Sequence, residues 1–185
     1  MKIGIFGGTF DPFHLGHLKI ATEAAKSLDR VYIVPTICNY YRPDKRQLFT
    51  FDEKCRIITE MISGSKGDIR IDTIEKDQDS KWRTIDTVEH FRKAFPDDEL
   101  YLIIGEDSYK DFDTWFRYDD ILNLATLMVV QRGTGEDVVK TIPCENLEIG
   151  KDFLEASASK VRDKLIEELM DMYLSDKEWY NGLEA

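Results

Sequence analysis

Short apolar runs alternate with longer stretches of helical periodicity along almost the whole chain. Residues 2–6 form an apolar run that meets Gly7-Gly8 at once, the pattern of a buried strand. Between residues 15 and 28, Leu15, Leu18, Ile20, Ala21, Ala25 and Leu28 fall on an approximate helical stripe. RVYIVP (30–35) predicts a second strand, stopped by its proline. Thr50-Phe51-Asp52-Glu53 has the spacing of a capping box and predicts a helix to about Ser63. Alternation over 68–74 predicts a third strand, and Ile85, Val88, Phe91 and Phe95 predict an amphipathic helix over 84–95. LYLII (100–104), closed by Gly105, and TLMVV (126–130) read as two buried strands with a helix over 115–124 between them. A weak strand near 147–149 and a helical region over 159–173 complete the pattern.

Strands separated by helices of this length need crossover connections, which are right-handed and make the strands parallel. The expected fold is therefore α/β, a doubly wound, mainly parallel sheet with a C-terminal helical region. No repeat, low-complexity tract or linker divides residues 1–185, so a single domain is expected. In such sheets ligands bind beyond the carboxyl ends of the strands.

Composition narrows the function classes. Twenty-five basic against 36 acidic residues leave a net charge of −11, a surface that repels nucleic-acid phosphate. No apolar run approaches the roughly 20 residues of a membrane span. The N-terminus meets its Gly-Gly pair too early to hold a signal-peptide core, and Cys38, Cys55 and Cys144 form no CxxC pair. The expected setting is cytoplasmic, with reduced cysteines and neither nucleic acid nor membrane as partner.

The chemistry concentrates after the first strand, in Gly7-Gly8-Thr9-Phe10-Asp11-Pro12-Phe13-His14-Leu15-Gly16-His17. Glycines allow close backbone approach, and a helix start offers unpaired N–H groups to an anion. His14 and His17, two of only three histidines, are three apart, so both imidazoles can face one spot at that helix start. A tight turn carrying two polar histidines is the plain alternative. The segment is neither GxGxxG nor GxxxxGK[ST], so dinucleotide binding of the ordinary kind and P-loop hydrolysis lose support.

GGTFDPFHLGH resembles the hallmark of the HxGH nucleotidyltransferase family. Within that family the chain is most similar to the bacterial nicotinate-nucleotide adenylyltransferases. Four further segments carry the likeness: TIDTV (84–88), LIIGEDS (102–108) with Thr114-Trp115, SASKVR (157–162), and YLSDKEWY (173–180). The departures are Ala158 for a serine, Trp82-Arg83 for Ser-Tyr, Glu106 for alanine, and YYRPDK (40–45) where P-P-H-K is common.

The resemblance implies a Rossmann-like fold and transfer of the adenylyl group of ATP to nicotinate mononucleotide. The alternatives are another phosphorylated acceptor, such as nicotinamide mononucleotide or phosphopantetheine, or a degenerate regulator that only binds nucleotides. His14, His17 and Arg162 would be catalytic, the histidines donating to the triphosphate and doing so better when protonated. Gly8, Thr9, Phe10, Lys45, Gly105, Asp107, Arg132, Ser157 and Ser159 would complete the ATP site, with Thr84 and Trp115 on the acceptor. Each has a plain alternative: Lys45 and Arg132 as surface cations, Ser157 and Ser159 as N-caps, and Arg162 paired with Glu167. Asp107 and Thr84 could simply cap helices, and Trp115 could be a core residue. No metal site is written in the chain, so magnesium is expected to arrive on ATP phosphates. A homo-oligomer is compatible with the resemblance.

Overall fold

The computed structural model describes residues 1–37, 47–78, 82–131 and 142–149. Six strands form one sheet in the order β3-β2-β1-β4-β5-β6, every neighbouring pair parallel. They are β1 (Lys2–Gly8), β2 (Arg30–Pro35), β3 (Ile69–Ile71), β4 (Glu99–Gly105), β5 (Thr126–Gln131) and β6 (Cys144–Glu148). Among the described residues the α-helices are α1 (Leu15–Ala24), α2 (Phe51–Ile62), α3 (Thr84–Ala94), α4 (Glu106–Lys110) and α5 (Tyr118–Leu124). The chain moves outward from β1 through β2 to β3, then returns to the other side of β1 for β4. β1 and β4 therefore flank the switch point, where a crevice opens at the carboxyl ends.

Alternating side chains of the strands feed two cores, one on each face. Phe6, Val31, Ile33, Ile103 and Met128 pack beneath α1 and α2 through Ile20, Ala21, Ala24 and Ile58. Ile3, Ile5, Val34, Leu102, Ile104 and Val129 pack on the opposite face with Val88, Phe91, Phe112 and Ile121. α2 begins with the expected capping box. Thr50 Oγ1 accepts from the Glu53 N–H at 3.3 Å, and Glu53 Oε2 accepts from the Thr50 N–H at 2.8 Å.

Several elements differ from expectation. β1 continues through Gly7 and Gly8, which pair with Val34 and Pro35, so the glycines belong to the strand. The left-handed turn falls instead on Phe10, at φ 44°. Gly8 is required by that turn, since a Cβ there would meet the Phe10 ring at 2.9 Å. The third strand is cut to Ile69–Ile71 and followed by a 3₁₀ turn over Ile74–Asp77. The helix expected over 115–124 starts only at Tyr118, after a 3₁₀ turn at Phe112–Thr114 and a left-handed Arg117 at φ 55°. Arg117 is held at that corner by Glu89 at 2.8 Å and Asp120 at 2.6 Å. The last strand lies at Cys144–Glu148, and the helical region expected over 159–173 falls outside the described residues.

Candidate active site

His14 is the N-cap of α1 and uses its own ring for the purpose: Nδ1 accepts from the Gly16 N–H at 3.1 Å. His17 Nδ1 accepts in turn from the His14 N–H at 3.2 Å. The two rings stack with centroids 3.7 Å apart and planes 26° from parallel. Behind them Phe6, Phe10 and Phe13 surround the His17 ring at 6.1, 5.0 and 5.3 Å. The two rings thus lie together at the start of α1, just after the end of β1, both half-buried.

This arrangement fixes a tautomer. A nitrogen that accepts a backbone N–H carries no proton, so the proton of each neutral ring sits on Nε2. In that tautomer each ring carries its donor at Nε2. The expectation that protonation improves the pair meets a cost in this geometry. A second proton on Nδ1 would eject a helix-capping N–H, and two stacked imidazolium rings at 3.7 Å would repel each other.

The loop before α1 is tied across the site. Asp11, 5% exposed, accepts from the Leu48 N–H at 3.1 Å and the Phe49 N–H at 3.0 Å. The histidine loop and the start of α2 are therefore held in one frame. Lys54, fully buried, reaches up from α2 to donate to the Thr36 carbonyl at 2.7 Å and to Gln47 Oε1 at 3.2 Å. Sequence reasoning passed over both residues. Asp11 was visible inside the GGTFDPFH segment, whereas nothing local marks Lys54 as buried.

A cleft of about 300 Å³ opens at the switch point. Gly8 and Thr9 lie along it, as do Thr84, at the first turn of α3, and Trp115. Trp115 is half-buried against Phe112, with centroids 5.2 Å apart, and keeps part of its surface toward the cleft. Thr84 does not cap α3: the N-cap is Arg83, whose N–H donates to Asp86 Oδ2 at 2.7 Å. Phe10 is 3% exposed, so its side chain belongs to the core and leaves only backbone for a ligand. Gly105 is the N-cap of α4, and Asp107 is exposed in that helix's first turn. Lys45, Arg132, Ser157, Ser159 and Arg162 fall outside the described residues.

The cleft also holds residues with no motif to announce them. Thr87, 4% exposed, accepts from Trp82 Nε1–H at 2.9 Å and donates to Glu75 Oε1 at 3.1 Å. Burial raises the Glu75 carboxyl to about 7, against smaller lowering effects of the Thr87 hydrogen bond and the Lys54 charge. Thr36 Oγ1 is a buried hydroxyl with no hydrogen-bond partner among the described residues.

A parallel 3-2-1-4-5-6 sheet, with stacked histidines after the end of β1 and a cleft at the switch point, defines an α/β protein of the Rossmann-like type. The sequence matches the cytidylyltransferase-like family over residues 5–165, and the chain belongs to that family. Among curated relatives, a probable nicotinate-nucleotide adenylyltransferase of Pelobacter propionicus is 40% identical over 134 residues, 71% of this chain and 61% of that protein. The chain thus spans about three fifths of that relative's length. The probable nicotinate-nucleotide adenylyltransferase of Geobacillus thermodenitrificans is 31% identical over 98% of this chain and 87% of its own. In three dimensions the fold resembles Plasmodium falciparum nicotinic acid mononucleotide adenylyltransferase complexed with NaAD. The TM-score is 0.73 at 19% identity, over 88% of this chain and 82% of that one. Among the described residues no helix is long and apolar enough to cross a membrane.

Proposed function

We propose that the protein transfers the adenylyl group of ATP to nicotinate mononucleotide, forming the deamido dinucleotide precursor of NAD and releasing pyrophosphate. The observation that carries this reading is the stacked His14–His17 pair at the start of α1, on the loop that leaves a cleft lined by Gly8, Thr9, Thr84 and Trp115. The names of the relatives point the same way.

In the proposed reaction a phosphate oxygen of the mononucleotide attacks the α-phosphorus of ATP. The bond from that phosphorus to the bridging oxygen breaks, and pyrophosphate leaves with the electron pair. The attacking phosphate is already anionic at neutral pH, so no nucleophilic side chain is needed. Catalysis reduces to in-line positioning and to stabilising charge on the phosphates. His14 and His17 supply Nε2–H donors, and the start of α1 adds the positive end of its dipole. Lys45, Arg132, Arg162, Ser157 and Ser159 are proposed as further phosphate contacts, and Gly105 and Asp107 as contacts to the adenosine. Magnesium supplies extra neutralisation of the triphosphate when bound. Among the described residues no group of three or more His, Cys, Asp or Glu side chains could hold a metal ion.

The test is pyrophosphate release from ATP with a panel of phosphorylated acceptors. Nicotinate mononucleotide should be turned over well and 4′-phosphopantetheine hardly at all. Equal use of both would overturn the acceptor, and tight ATP binding without turnover would favour the regulator.

Trp115 offers a sharper check on the acceptor side. Trp115→Ala should weaken the mononucleotide by about five- to tenfold in KM, the size of one lost aromatic stack. ATP affinity should stay within about twofold, because the histidine pair is untouched. Matching losses for both substrates would make Trp115 a structural residue.

A further inference from the structure

Glu75 sits on the 3₁₀ turn that follows β3, and that turn is tightly held. Asp72 N–H donates to the Ile33 carbonyl at 2.9 Å, and Asp72 Oδ1 accepts from the Ile74 N–H at 2.8 Å. Gln78 Nε2 closes the other end on the Ile74 carbonyl at 3.1 Å. The Glu75 carboxyl is thereby placed in the wall of the cleft that contains Trp115 and Thr84.

Its hydrogen-bond chain is polarised. The indole N–H can only donate, so the 2.9 Å contact makes Thr87 Oγ1 an acceptor from Trp82. The Thr87 proton is then directed at Glu75 Oε1. Glu75 ends the chain with its second oxygen uncommitted among the described residues. The charged neighbours that bear on it are Lys54 from α2 and Asp86 from α3. Arg83 lines the same cleft, and Lys76 and Asp77 share its turn, with Lys76 turned to Asp52 at 2.8 Å.

We propose that Glu75 reads the ring substituent of the acceptor mononucleotide, donating a hydrogen bond to a carboxylate when protonated and accepting one from a carboxamide when ionised. This rests on the proposed adenylyl transfer to a pyridine mononucleotide. An ionised Glu75 facing a nicotinate carboxylate would set two like charges together in a half-buried wall, which is costly. The acid therefore selects the protonated enzyme and the amide the ionised one. Burial keeps both forms accessible, since the carboxyl titrates at about 7.

The consequence is a choice of acceptor that depends on pH. Lowering the pH through 7 raises the protonated fraction and favours the acid; raising it favours the amide. The measurement is kcat/KM for nicotinate and nicotinamide mononucleotides from pH 6 to 8.5, taken as a ratio. Titrations of ATP, of the mononucleotide phosphate and of the histidines are common to both substrates and cancel. The acid-to-amide ratio should fall by about a hundredfold between pH 6 and pH 8, because the protonated fraction of one group near 7 falls about tenfold while its ionised fraction rises about tenfold. In Glu75→Gln, whose amide does not titrate, the ratio should vary less than about twofold. A flat ratio in the unmodified protein overturns the proposal, as does the same slope in Glu75→Gln. Pyrophosphate from neither mononucleotide overturns the adenylyl-transfer reading itself and this role with it.

Proton uptake gives a second readout that needs no variant. Calorimetric binding of each mononucleotide at pH 7, in two buffers of different ionisation enthalpy, should show about half a proton taken up with the acid. About half a proton should be released with the amide. Equal proton changes for the two ligands would also overturn the proposal.

Discussion

Replacing His17 by alanine should lower turnover by about 10²–10³-fold, the usual cost of removing one donor aimed at developing charge. The loss has two sources. The Nε2–H donor disappears, and the His14 N–H loses the Nδ1 acceptor that holds it at 3.2 Å. Asparagine separates them, because its Oδ1 can take the place of Nδ1 in the helix cap while nothing reaches as far as Nε2. His17→Asn should therefore keep its melting temperature within a few degrees and still lose nearly all of the rate. Steady-state pyrophosphate release and a thermal melt on the two variants suffice. An unchanged kcat in either would remove His17 from the chemistry.

The largest effect on stability is expected at Lys54. Its side chain is fully buried, and its ammonium donates to the Thr36 carbonyl and to Gln47 Oε1. Lys54→Ala leaves a cavity and strands those acceptors, a cost of about 3 kcal/mol. Lys54→Met keeps most of the volume and removes only the donor, so about half of that loss should remain. Urea denaturation of the full chain distinguishes the two contributions. A loss below about 1 kcal/mol for alanine would mean that water replaces the ammonium freely. The consequence for the site is direct, because Lys54 holds the segment before α2 against the end of β2. Asp11 grips the neighbouring Leu48 and Phe49 from the histidine loop.

Legibility in the sequence followed the range of the interactions concerned. RVYIVP announced β2 to the residue, because a buried apolar run ending in proline has few other solutions. The Thr50–Glu53 pair announced the start of α2, since a capping box is closed within four residues. The His14–His17 spacing likewise brought the rings together, three positions apart on one helix face. Where prediction slipped, distant partners were responsible. Gly7 and Gly8 stayed in β1 because β2 offers pairing there. Arg117 delayed α5 because Glu89, on another helix, holds it in a left-handed corner.

The order of the elements, the parallel sheet and the histidine pair could be read from local pattern alone, because propensity, capping and apolar periodicity are settled within a turn or two of chain. The cleft wall could not. Glu75, Thr87 and Trp82 look like ordinary polar and aromatic positions until folding brings them into one hydrogen-bond chain. Burial then lifts a carboxyl that would be fully ionised in the open chain to about 7. Desolvation belongs to an assembled environment, so a group's charge at neutral pH is written only when the surrounding elements close over it.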